Sequence, residues 1–203
     1  MQNFLLYQGS CFDIMPQFLD QSFDMVFADP PYFLSNDGLT IKNGKIQSVN
    51  KGSWDRLDSQ QDIYTFNYQW LALVKQKLKD DGTIWISGTH HNIFLIGQAL
   101  SSLNFKILNM ITWEKKQGKH PTQKPLGLLS RIILASTQAN ALILDPFSGS
   151  ATTGIAANLF NRRFIGIEQE ASFLELAKNR YLALDDIERQ NIKQKIRCQI
   201  SLI

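Results

Sequence analysis

Apolar and polar positions follow two rhythms along this chain. "FDMVFA" (23–28), "TIWISG" (83–88), "ALILDPF" (141–147) and "RFIGIE" (163–168) are short, nearly continuous apolar runs, the pattern of strands buried on both faces. Between and after them, "DIYTFNYQWLALVKQKLKDDG" (62–82), "NIFLIGQALSSLN" (92–104), "PLGLLSRIILAST" (125–137), "TTGIAANLF" (152–160) and "ASFLELAKNRYLALDDIERQ" (171–190) place apolar residues at helical spacing. Gly82 reads as a helix stop, Pro125 as a first-turn residue, and "FKILNMITW" (105–113) as strand-like. Strands alternating with helices predict an α/β fold, a Rossmann-like and mainly parallel sheet with helices on both faces. One stretch breaks the rhythm: 34–61 is polar, rich in Gly and Asn, and far longer than an ordinary connection, as binding loops tend to be.

A length of 203 residues fits a single domain over 1–203, and 44% apolar with 19% charged residues is globular composition. No apolar run approaches the roughly 18 residues of a membrane span. The start "MQNFLLYQGSCFD" lacks a signal peptide's basic region and cleavage site. Cys11 and Cys198 sit too far apart in sequence to suggest a metal site or a disulfide framework, so a cytoplasmic protein is expected. His90 and His91 are adjacent and cannot readily chelate one ion, so no metal is expected.

The net charge of +3 is small, but its distribution is uneven. Lys115, Lys116, Lys119 and Lys124 cluster in "KKQGKHPTQK", and Lys42, Lys45, Lys51 and Arg56 punctuate 37–56. Phosphate contacts need such local patches, although lysines placed for solubility would look the same.

Ligands of open α/β sheets bind beyond the carboxyl ends of the strands. "DPFSGSATTG" (145–154) follows a strand, contains small residues and opens a helix, and Glu168 ends the next strand, where it can accept hydrogen bonds from a ribose. There is no Gly-Lys-Ser/Thr to cradle phosphates, and Asp145 would repel a pyrophosphate. A nucleoside with a cationic centre suits this loop, and S-adenosyl-L-methionine has that chemistry. Earlier in the chain, "VFADPPYFLSN" (26–36) places Asp29, Pro30, Pro31 and Tyr32 at a strand mouth. An exocyclic ring amine is a poor nucleophile because its lone pair is delocalised. The Asp29 carboxylate and the Pro30 carbonyl can accept its two hydrogens, and Tyr32 can stack on the base. A base inside a duplex reaches such a pocket only when flipped out.

Together "DPPY" (29–32), "DPFSGSATTG", "RFIGIEQE" (163–170) and "HPTQKP" (120–125) resemble the β group of DNA amino-methyltransferases, of the restriction-modification type, over nearly the whole chain. The resemblance implies that Asp29, Pro30, Pro31 and Tyr32 are catalytic. It implies that Ser10, Cys11 and Phe12 of "YQGSCFDIM" (7–15), together with Asp29, Lys124, Asp145, Phe147, Ser148, Gly149, Ser150 and Glu168, bind the cofactor. Lys51, Trp54 and Arg56 of "KGSWDR", His90 of "ISGTHH" (86–91), Lys116 and Lys119 would contact DNA. Three departures stand out. Ser10 follows Gly9 where the group usually has Asp, and Ala151 replaces a glycine. Third, "ITWEKKQGKHPTQKP" passes directly from one block to the next, so a target-recognition segment expected near 113–119 is absent or truncated.

The implied activity is site-specific methylation of adenine N6 in double-stranded DNA by a monomer or homodimer, with a cognate restriction endonuclease as an expected partner. The alternatives are N4-cytosine methylation and a catalytically silent DNA-binding or regulatory module.

Overall fold

A computed structural model of the chain describes residues 3–33, 39–42, 45–48, 59–90, 92–113 and 124–201. In chain order the strands are β1 (Phe4–Gln8), β2 (Phe23–Ala28), β3 (Leu39–Lys42), β4 (Lys45–Ser48), β5 (Leu78–Ile86), β6 (Leu142–Asp145) and β7 (Arg163–Glu168). The helices are α1 (Cys11–Ile14), α2 (Gln60–Lys77), α3 (Ile93–Ser102), α4 (Leu126–Ser136), α5 (Thr152–Leu159), α6 (Ala171–Leu182) and α7 (Asp186–Ser201). The chain divides into two compact units, one of Met1–Ala28, Gln76–Trp85 and Trp113–Ile203, the other of Asp29–Lys75 and Ile86–Thr112.

The first unit is built on a five-stranded sheet in the order β1-β7-β6-β2-β5. β1 pairs with β7, β7 with β6 and β6 with β2, all parallel, with Gln8 opposite Glu168, Asp145 opposite Gly166 and Val26 opposite Leu144. β2 is buried at every position but Asp24, as its continuous apolar run requires of a strand covered on both faces. Asp24 joins three strands: one carboxylate oxygen accepts from the Leu142 amide at 2.7 Å and the other from Lys79 Nζ at 2.5 Å. Burial raises its pKa, but the hydrogen bonds from Lys79 and Leu142 outweigh burial and hold it below the ordinary value.

Helix α5 lies against this sheet and is buried along almost its whole length. Small residues make that possible. A Cβ at Gly154 would collide with the Phe164 ring and meet the Phe4 ring at 2.6 Å, so only glycine lets the helix approach β7 and β1 this closely. Met25, Phe27, Leu129, Ile133, Ile143 and Phe164 complete the core. Arg162 is also buried, yet its guanidinium donates to Thr137 Oγ1, to the Thr137 carbonyl and to the Phe160 carbonyl, and so closes the ends of α4 and α5.

Three elements differ from the sequence pattern. The helix expected over 62–82 ends at Lys77, and β5 begins at Leu78. The amides of Gln21 and Ser22 donate to the carbonyls of Gln76 and Lys77, and Lys77 Nζ reaches Asp20 at 2.6 Å, which stops the helix before Gly82. The single long helix expected over 171–190 is two, because Asp185 accepts the Glu188 amide at 2.7 Å and starts a new helix. Residues 105–113 form neither helix nor strand; strand propensity makes no strand without a ladder partner, and Ile107, Leu108, Met110 and Ile111 are all exposed.

In the second unit, α2 opens on a capping pair: Ser59 Oγ accepts the Asp62 amide at 3.1 Å and donates to the Asp62 carboxylate at 2.6 Å. Its inner face buries Trp70, Leu71 and Val74. Tyr64 is hydrogen-bonded to Ser102 of α3, and Lys75 to the Leu103 carbonyl. Within the stretch read as an irregular loop, β3 and β4 form an antiparallel hairpin; the rest of 34–58 lies outside the described residues.

Gly154→Ala should destabilise the protein by about 1–3 kcal/mol through overpacking, measured by urea denaturation. Asp24→Asn should also be destabilising at neutral pH. Because the folded pKa of Asp24 is depressed, its contribution is complete above the unfolded value of about 4 and is lost as acid protonates the folded carboxylate. The gap between Asp24→Asn and wild type should therefore narrow below that pH.

Candidate active site

In the first unit the loop after β6 is shaped by its own acid. Asp145 is 2% exposed, and its carboxylate accepts the Phe147 amide at 3.1 Å and the Thr153 hydroxyl at 2.6 Å. Its two oxygens tie the start of the loop to the first turn of α5. Pro146 is buried beside it. Gly149 follows at φ +50°, with nothing within 4 Å of the place a Cβ would occupy, and Ala151 at φ 53° is also left-handed. A ligand can therefore approach the backbone at Gly149, and any other residue would fill that space and strain the chain. Ser148 is buried, and among the described residues its hydroxyl has no hydrogen-bond partner.

Glu168 ends β7 and faces this loop. One carboxylate oxygen accepts the Gly149 amide at 2.8 Å and the other the Glu170 amide at 2.9 Å. A carboxylate offers about four lone-pair positions, so it can accept further hydroxyls while holding the loop. The block after β1 adjoins Glu168, since the Gly9 amide donates to the Glu168 carbonyl at 3.0 Å. In that block Ser10 caps α1 by accepting the Phe12 amide at 3.2 Å, and Cys11 is buried, where desolvation pushes its thiol up to about 12. Phe147 and Ser150 are partly exposed on the loop, and Lys124, half-buried, precedes α4.

The second unit carries the Asp-Pro-Pro-Tyr loop, which leaves directly from β2. Asp29 is half-buried, and one of its carboxylate oxygens accepts from Tyr32 Oη at 2.5 Å and from Ser87 Oγ. Asn92, 1% exposed, donates its side-chain amide to the Pro31 carbonyl at 3.2 Å and accepts the Thr89 amide at 3.0 Å. Phe33 closes the loop at φ 52°, unusual for an aromatic residue, and is held edge-on against Phe66 with centroids 5.2 Å apart. Prolines, Asn92 and the buried Phe33 thus fix the backbone, and Tyr32 and Ser87 orient the carboxylate. Sequence reading missed Ser87 and Asn92 as individuals. Only their position at the end of a strand leading into a helix marked the stretch.

His90 is exposed, whereas Lys51, Trp54, Arg56, Lys116 and Lys119 lie outside the described residues. Among the described residues no group of three His, Cys, Asp or Glu side chains could hold a metal ion, and no helix is long and apolar enough to cross a membrane.

The family model for the N6/N4 DNA methylases matches residues 23–119 and 114–179. The type II methyltransferase M2.MboI of Moraxella bovis is 52% identical over 262 aligned residues, which cover 100% of this chain and 96% of the relative. That alignment is longer than the 203 residues here, so the relative carries residues that have no counterpart in this chain. Among solved structures, the putative DNA modification methylase TTHA0409 of Thermus thermophilus is similar in fold, with TM-score 0.65 and 18% identity over 87% of this chain and 93% of that one. The cytosine-N4-specific PvuII DNA methyltransferase has TM-score 0.65 and 16% identity over 97% and 93%.

The division of labour between the two acids is measurable. Asp145→Ala should destabilise the fold by about 1–3 kcal/mol, because it leaves a buried amide and hydroxyl unpaired. Glu168→Ala, at a half-exposed position, should cost clearly less in the same urea titration. The opposite ranking would contradict the structural role given to Asp145.

Proposed function

The chain belongs to the N6/N4 DNA methylase family, as a restriction-modification DNA amino-methyltransferase, and on that premise we propose that it methylates the exocyclic N6 of adenine. S-adenosyl-L-methionine, when bound, supplies an electrophilic methyl group on a sulfonium centre. The loop 145–152 fits that cofactor on three counts: open space at Gly149, an orphaned buried hydroxyl on Ser148, and a strand-end carboxylate at Glu168 with no lysine placed for phosphates. Glu168 accepts the ribose hydroxyls, and Phe147 and Gly149 line the adenosine.

Asp29 carries the chemistry. Its carboxylate accepts a hydrogen of the target amine, which keeps the nitrogen lone pair available for attack. It would stabilise the positive charge that develops on nitrogen as the N–C bond forms and the methyl–sulfur bond breaks, with S-adenosylhomocysteine as the leaving group. A proton is then lost from the nitrogen. Pro30 offers its carbonyl to the second hydrogen, and Tyr32 offers its ring face. The observation that carries this reading is the orientation of the Asp29 carboxylate by Tyr32 and Ser87 on a loop whose backbone Asn92 fixes. The base is flipped out of the duplex to reach Asp29. DNA contact is assigned to Lys51, Trp54, Arg56, His90, Lys116 and Lys119. An aspartate at position 29 favours adenine; the N4-cytosine activity of a fold relative keeps cytosine as the second reading.

The target-recognition segment is reduced in this chain. The two family matches meet at 114–119, the aligned relative has additional residues, and the exposed Ile107, Leu108, Met110 and Ile111 lie just upstream in sequence. A nuclease cutting the site that this enzyme protects is the expected partner.

Asp29→Ala should abolish methyl incorporation into DNA while thermal stability stays near wild type; near-normal turnover would remove Asp29 from the mechanism. Glu168→Ala should weaken cofactor binding by about 1.5–3 kcal/mol in calorimetry through loss of a charge-assisted hydrogen bond.

A further inference from the structure

One cation of the first unit is directed at the cofactor loop without belonging to any block that identifies the family. Arg180, near the end of α6, donates from a single nitrogen, Nη1, to the Ser150 carbonyl at 2.5 Å, the Ser150 hydroxyl at 2.7 Å and the Thr152 hydroxyl at 3.1 Å. All three acceptors are neutral and all lie on the loop or on the first residue of α5. They flank Ala151, which is fully buried at φ 53° and ψ 40° and whose amide donates to the Ser148 carbonyl at 2.7 Å. A left-handed alanine is unfavourable by itself, so something must hold it.

The arginine is well aimed. Its neighbour Tyr181 stacks on Phe4 of β1 with centroids 4.0 Å apart, and the Arg189 guanidinium lies over the Tyr181 ring, 4.9 Å from its centroid. Besides the ties from Asp145 to Phe147 and Thr153, the loop is gripped by Glu168 at the Gly149 amide and by Arg180 at Ser150 and Thr152.

We propose that Arg180 is a positioning residue for cofactor binding: it holds the Ser150–Thr152 backbone in the left-handed turn that opens the loop at Gly149, and so preorganises the S-adenosylmethionine site without touching the reacting atoms. This rests on the reading of 145–152 as the cofactor loop. Preorganisation acts on affinity, because a loop that must first find its bound shape binds more weakly by the fraction of time it spends there. Turnover at saturating cofactor is then unaffected. Since all three bonds leave one nitrogen, a lysine ammonium can replace them in kind.

The test is calorimetric titration of the DNA-free protein with S-adenosylmethionine and S-adenosylhomocysteine, alongside steady-state kinetics and hydrogen exchange of the apo protein. Arg180→Met should raise Kd and the cofactor KM by roughly tenfold with kcat unchanged, Arg180→Lys should recover most of the loss, and exchange should accelerate at the Ala151 amide but not in the sheet. A folded Arg180→Met protein with wild-type Kd overturns the proposal, as does acceleration spread equally through the sheet, which would make Arg180 a general staple. If Arg180→Met does not fold, Thr152→Val removes one acceptor at constant shape and should still raise Kd; no change there overturns the proposal too. A wild-type protein that binds neither ligand refutes the cofactor-loop reading itself, a result distinct from wild-type binding matched by the variant.

Discussion

Peptide groups leaving a parallel sheet at the carboxyl ends of its strands lose their ladder partners, and in this protein acidic side chains take over as acceptors. Asp145 at the end of β6 binds the Phe147 amide, and Glu168 at the end of β7 binds those of Gly149 and Glu170. An amide held by a carboxylate has a fixed direction, and a ligand site made of backbone needs fixed directions more than it needs many side chains. The left-handed turns at Gly149 and Ala151 and the close approach of α5 at Gly154 all depend on the loop starting in the place those acids set.

The same residue type does three different jobs according to burial. Asp145, almost fully buried, is consumed by the fold. Glu168, half-exposed, holds the loop through the Gly149 and Glu170 amides, and in the proposed reading its remaining lone pairs accept the ribose. Asp29 follows β2 and is oriented by hydroxyls, Tyr32 and Ser87, instead of by backbone amides. Hydroxyl donors can reorient, whereas backbone amides cannot, and this suits the exchange of partners that the proposed reaction asks of Asp29.

Much of this was legible in the sequence, for identifiable reasons. β2 coincides with the run "FDMVFA" and β7 with "RFIGIE", because a central parallel strand is an uninterrupted apolar segment bounded by polar residues. The strand-end positions of Asp29 and Glu168 were legible because each directly follows or ends such a run. What remained hidden depended on partners distant in sequence. The end of α2 at Lys77 is set by Gln21, Ser22 and Asp20. Residues 105–113 have strand composition but no strand to pair with. The cap that Ser10 makes for α1 and the hold of Arg180 on a loop some thirty positions earlier both depend on the folded backbone. The break between α6 and α7 was readable in principle, since Asp185 and Glu188 stand at the spacing of a helix start; the apolar periodicity on either side obscured it.

The proposed reaction passes a methyl group from S-adenosylmethionine to the exocyclic nitrogen of adenine in DNA. It can be followed by incubating the protein with duplex DNA and cofactor bearing a trideuterated methyl group, digesting the DNA to nucleosides and weighing each by mass spectrometry. The heavy methyl should appear on N6 of deoxyadenosine. Label on N4 of deoxycytidine, or on no nucleoside at all from a protein that binds the cofactor, would overturn the adenine assignment.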